Sequence, residues 1–238
     1  MNMRFAALAF LVALSAGVSV TQVFATSLNL ASQPLAAVRT CSVTAATTST
    51  TSVADASVRQ ASATSNFGTS TTNDVASSSA ANRRLYVQFD LSGCRPVIPA
   101  TATVRLASLR LYASTLPANC RTLDIFRVTA AWTEAGITWN NQPFGTAINN
   151  PASGSATDTY NAGTPAGCEN LTANSYTTGA VVTADVAAFV AGTATNFGWM
   201  LRDDVEGSVT ARTQTYAAKN LGTASQAPQL VITYVTVP

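Results

Sequence analysis

The chain has no histidine in 238 residues and one lysine, Lys219. The missing imidazole removes the usual general base, the Ser-His-Asp and Cys-His arrangements, and the commonest transition-metal ligand. Lys219 follows Thr215-Tyr216-Ala217-Ala218, so no S-x-x-K pair exists to activate a serine. Charged residues are only 10% of the chain, and the net charge of +2 rests on scattered arginines. No basic run is present, which excludes nucleic acid and anionic membrane surfaces as partners. No glycine-rich phosphate loop occurs, so nucleotide binding has no support. No C-x-x-C pair occurs either, and a zinc site would need four scattered thiolates.

What is present is apolar or uncharged and polar. Hydrophobic residues make up 47%, and much of the remainder is Thr, Ser, Ala and Asn. That composition suits a β-protein with hydroxyl-rich outer faces. Residues 1–25 read as a secretory signal: Arg4, an apolar run from Phe5 to Gly17, and the small-x-small site Val23-Phe24-Ala25. Cleavage there leaves no membrane span. Cys41, Cys94, Cys120 and Cys168 are an even set in an exported chain, which predicts two disulfides. Cys94 and Cys120 flank a predicted strand over residues 104–114 and should lie at its opposite ends, too far apart to join. Cys41–Cys94 with Cys120–Cys168, or Cys41–Cys120 with Cys94–Cys168, remain. The first is preferred because its loops are more local.

Residues 26–52 form a Thr/Ser/Ala-rich lead-in, either an extended edge strand or a linker. Residues 53–238 read as one domain of short strands and turns. Leu85, Val87 and Phe89 share one strand face, and Tyr86 and Gln88 take the other. Ala107, Leu109, Leu111 and Ala113 share the next, opposite Ser108, Arg110 and Tyr112. Val104 and Leu106 have the wrong parity, which predicts a bulge near Leu106. Residues 144–175 predict a long loop or hairpin excursion, and residues 183–191 a short helix capped by Thr183. The predicted fold class is all-β: a β-sandwich of jelly-roll type, two antiparallel sheets and at most one short helix.

The most distinctive stretch is Trp132 to Pro143, W-T-E-A-G-I-T-W-N-N-Q-P. Rings at both ends, with amides and a proline at the exit, describe a structural corner, and Trp132, Trp139 and Trp199 are expected in the core. The stretch resembles the centre of the DNRLRE domain family, some of whose members are grouped as carbohydrate-binding module family ninety-six. Further matches follow in order. Asp55-Ala56-Ser57-Val58 with Asn66-Phe67-Gly68 is similar to the family's D-x-x-V and N-Y-G pair. Arg84 to Ser92 is similar to its R-x-x-x-x-F-D-L-S strand, and residues 107–112 to its A-x-L-R-L-Y strand. Asp185-Val186, Asn196-Phe197-Gly198 and Pro228 to Tyr234 complete the series. Ala191 stands where the family has a tryptophan. The resemblance implies a secreted, non-catalytic carbohydrate-binding module.

The candidate ligand face carries Tyr86, Gln88, Arg110 and Tyr112, because their aliphatic neighbours face the core. Tyrosines would stack on sugar rings, glutamine would donate and accept, and arginine would favour uronates. Tyr160 and Tyr176 are the next aromatic candidates. Asp90, Glu134 and Asp185 are read as hydrogen-bond acceptors at strand ends and turns. Asp203, Asp204 and Glu206 form the one acidic cluster, a candidate for structural calcium. The expected partner is polysaccharide or a cell-surface glycan. The alternative is an adhesive surface protein that self-assembles when the lead-in donates a strand to a neighbour.

Overall fold

The computed structural model describes residues 36–45, 52–164, 168, 173–177 and 179–236. The segment read as an export signal and much of the lead-in lie outside the described residues. Among the described residues no helix is long and apolar enough to cross a membrane.

Among the described residues thirteen strands and one helix follow in chain order. They are β1 (Ala37–Thr44), β2 (Val53–Arg59), β3 (Thr72–Ser77), β4 (Arg83–Phe89), β5 (Thr103–Arg110), β6 (Tyr112–Thr115), β7 (Arg121–Arg127), β8 (Asp158–Ala162), β9 (Ser175–Tyr176), β10 (Ala180–Val181), α1 (Thr183–Val190), β11 (Trp199–Asp203), β12 (Arg212–Ala217) and β13 (Gln229–Thr236). A four-stranded sheet has the order β1-β13-β5-β10. A nine-stranded sheet runs β8-β7-β11-β4-β3-β12-β6-β9, with β2 also paired to β4. All pairs are antiparallel. The all-β sandwich expected from the alternating pattern is therefore present, with one two-turn helix.

Two apolar layers hold it. The larger lies between the sheets and includes Leu85, Val87 and Phe89 of β4, Ala107 and Leu109 of β5, and Leu230, Ile232 and Tyr234 of β13. The second lies on the far side of the nine-stranded sheet. There Ala56, Val58, Tyr86, Phe126 and Met200 meet Val128, Ile137 and Trp139, from residues 128–157 that run between β7 and β8. A buried ion network fastens this excursion. Arg84 and Glu206, both fully buried, pair at 2.8 Å. Arg84 also donates to Gln142 Oε1 and to the carbonyls of Gly145 and Ala147. Glu206 Oε2 accepts from the Asn149 N–H.

Several local expectations meet the structure here. The bulge is real: Thr233 pairs with Leu106 while Tyr234 pairs with Val104, leaving Arg105 as the extra residue. The single strand read over 104–114 is instead two strands, because the chain leaves the four-stranded sheet at Arg110 and joins the nine-stranded one at Tyr112. Thr183 does not cap α1; its hydroxyl accepts the Ala107 N–H and docks the helix on β5. The lead-in supplies an edge strand, with β1 paired to β13 of its own chain over its whole length. The disulfides are Cys41–Cys94 and Cys120–Cys168, and no cysteine is free.

The two Asn-Phe-Gly triplets build equivalent corners. Asn66 Oδ1 accepts the Gly68 N–H, and its amide donates to the carbonyls of Glu134 and Ile137. Asn196 Oδ1 accepts the Gly198 N–H, and its amide donates to the Phe89 carbonyl. Glycine is required at the third position, since a Cβ on Gly198 would lie 2.0 Å from the Val87 carbonyl oxygen and one on Gly68 2.2 Å from that of Glu134.

Candidate functional site

The four residues predicted to share a ligand face do not share one. Tyr86 and Gln88 do point away from the inter-sheet core, as their parity requires, but the 128–157 excursion covers the surface at Tyr86. Tyr86 is 0% exposed, and its hydroxyl donates to Gln142 Oε1 at 3.0 Å. Burial pushes its phenol well above the ordinary range. It offers no ring face to a sugar. Gln88 donates to the Asn196 carbonyl and lines a polar cleft with Ser52, Ala54, Phe89, Asp90 and Asn196. Tyr160 is buried too, sharing a 2.6 Å hydrogen bond with the Tyr216 hydroxyl.

Arg110 and Tyr112 lie elsewhere, at the ledge where the chain changes sheets. Leu111 between them is buried and serves as the anchor. Arg110 pairs with Gln229 of β13 and donates to its Oε1 at 3.4 Å. Tyr112 pairs with Tyr176 of β9, ring centroids 5.4 Å apart and planes at 87°. The Arg110 guanidinium sits 4.9 Å from the Tyr176 ring centroid. All four side chains are partly exposed. Tyr176 donates its hydroxyl to the Ala227 carbonyl. Its phenol is raised by burial, against the pull of Arg110. Beyond the ledge runs the outer face of the four-stranded sheet. Thr40, Thr233 and Leu106 form one cross-strand row, and Ser42, Val231, Ser108 and Val181 another.

The acids are occupied. Asp90 accepts from the Ser92 N–H and hydroxyl. Glu134 Oε1 accepts from the Asp55 N–H, and Lys219 Nζ lies 2.7 Å from its Oε2. Asp185 accepts from the Trp199 indole and the Thr157 hydroxyl. The acidic cluster named as a calcium candidate is tied to arginines. Asp203 is paired with Arg121 and Arg212, Asp204 with Arg121, and Glu206 with the buried Arg84. Asp203 and Asp204 share Arg121, while Glu206 turns away to Arg84. Among the described residues no three acids, cysteines or histidines converge as a metal site.

The tryptophan expectation holds for two rings of three. Trp199 and Trp139 are 0% and 3% exposed. Trp132 is only partly buried and lines a shallow cleft of about 300 Å³.

A sequence model of carbohydrate-binding module family 96 matches residues 46–234. The chain belongs to carbohydrate-binding module family 96. The match runs from before β2 into β13, leaving out β1, and it carries with it the two Asn-Phe-Gly corners and the tryptophan corner. A family 96 module binds carbohydrate as a class. No curated protein matches the chain. Of the ledge, Arg110 and Tyr112 were readable from parity. Gln229 was not, because its neighbour across the sheet is set by the β13 register, for which the sequence carries no local signal.

Proposed function

We propose that the protein is an exported, non-catalytic module that holds polysaccharide at the ledge formed by Arg110, Tyr112, Tyr176 and Gln229. The observation that carries this reading is the Arg110 guanidinium seated over the Tyr176 ring, with Tyr112 at a right angle to it. The arrangement leaves a planar cation, two phenols and an amide partly exposed together. A guanidinium fork matches a carboxylate in two parallel hydrogen bonds, so the favoured ligand is a uronate-bearing chain. The outer face of the four-stranded sheet, rich in hydroxyls, continues the track.

Two paired cysteine bridges and the signal-like start support export. The non-catalytic reading rests on chemistry. Glycoside hydrolysis uses two carboxyls across one bond; the polar cleft at Gln88 is lined by one, Asp90, and the cleft at Trp132 by none. Calorimetric titration of acidic and neutral polysaccharides tests the site. Arg110→Ala and Tyr176→Ala should each weaken binding of the acidic ligand about tenfold, the equivalent of about 1.4 kcal/mol. Undiminished binding in both folded variants removes the ledge. Concentration-dependent association in the same samples would instead favour a self-assembling surface protein.

A further inference from the structure

Trp132 lies apart from Arg110, on a different element and a different sheet face. Arg110 belongs to the outer face of the four-stranded sheet, whereas Trp132 belongs to the excursion packed on the outer face of the nine-stranded one. Its cleft is lined by Ala131, Trp132, Thr133, Gly136, Ile137 and Asn141. None of these side chains is ionisable. A charged ligand entering here would lose water without gaining a counter-charge, which is costly. An indole face beside hydroxyl, amide and backbone groups suits an uncharged pyranose. Its C–H face would stack on the ring while its hydroxyls meet the polar rim.

The cleft is held rigidly, which lowers the ordering cost of binding. The indole N–H donates to the Phe197 carbonyl at 2.8 Å, and the ring rests edge-on against Tyr86 at 5.6 Å. The floor is a tight turn in which the Gly136 and Ile137 N–H groups both donate to the Thr133 carbonyl. Asn141 closes it, accepting from the Thr138 N–H and hydroxyl and donating to the Gly136 carbonyl. Asn66 and Lys219 pin the same turn through Glu134. A tryptophan with only a packing role would gain by closing over, as Trp139 does seven residues later. Trp132 is instead fixed with part of its ring open.

We infer that the Trp132 cleft is a second saccharide-binding site, for an uncharged pyranose, lined by none of the ledge residues. The inference rests on the carbohydrate-binding reading and makes the module bivalent, able to bridge two polysaccharide chains.

The test uses the full mature chain and neutral hexasaccharides of glucose, mannose and xylose, followed by tryptophan emission and calorimetry. With the other two tryptophans buried, an emission change on titration reports Trp132. At least one of these sugars should bind with one equivalent per molecule and shift the emission. Ala131→Arg, an exposed rim position, should weaken that binding at least about tenfold while leaving folded stability and acidic-polysaccharide binding unchanged. Arg110→Ala should do the reverse. Absence of neutral-sugar binding, or binding that survives Ala131→Arg, overturns the second site and leaves the ledge standing. Neutral binding with no acidic binding removes the ledge and keeps the cleft.

Discussion

Asp55 shows how one buried group sets a property of the whole chain. It lies in β2, 1% exposed, accepting the Lys219 N–H at Oδ2 while Oδ1 has no hydrogen-bond partner. Glu134, Lys219 and Asn73 surround it. Burial, reinforced by Glu134 and opposed by the Lys219 backbone and ammonium, pushes its pKa from 3.8 up to about 7. Between those values the folded state holds a proton that the unfolded chain has released. The stabilising share is full below the lower value and is lost as pH rises through the higher one. Stability should therefore fall by about 4 kcal/mol across that window. Urea denaturation from pH 4 to pH 8 checks this. Asp55→Asn keeps the acceptor and should flatten the profile; an equally steep profile in the variant would refute the assignment. In the sequence, Asp55 was legible only as part of a family motif. Its burial depends on Lys219 and Glu134, far away along the chain. The Asn-Phe-Gly corners were legible directly, because asparagine and glycine carry the turn within three residues.

At the scale of elements, alternation gave the inward face correctly for the two runs it was read on, Leu85 to Phe89 and Ala107 to Ala113. It could not tell whether the outward face meets water or another layer. Tyr86 was misplaced for that reason: the layer above it comes from residues 128–157, whose docking depends on Arg84 and Glu206. Arg84 also lies 4.7 Å from the Trp139 ring centroid. Glu206→Ala leaves a buried guanidinium without its counter-charge, which costs about 3–5 kcal/mol. Urea denaturation should show that loss, with faster amide exchange over residues 142–150. A change below about 1 kcal/mol would mean that the pair does not fasten the excursion. The split of the predicted strand into β5 and β6 was equally invisible, since Leu111 keeps the apolar parity on both sides of the crossing.

For the molecule as a whole, the cysteine argument left two pairings, and the local one is formed. Each bridge closes a long loop, with separations of 53 and 48 residues. Removing either should cost about 4 kcal/mol by the loop-entropy relation. A Cys41→Ser/Cys94→Ser double variant, compared with wild type by chemical denaturation, checks the first; unchanged stability would show that β1 needs no tether. That tether has a mechanical consequence. Ala37 of β1 lies opposite Thr236 of β13, so the segments flanking the domain leave from the same end of one strand pair. Tension applied through both would peel that pair open rung by rung, the geometry of a zipper rather than a shear joint. The peel reaches Cys41 after the rungs at 37–40 and stops, because the load passes across the bridge to Cys94 beside the end of β4. The domain would yield a short, reversible slack under low pull and then stiffen.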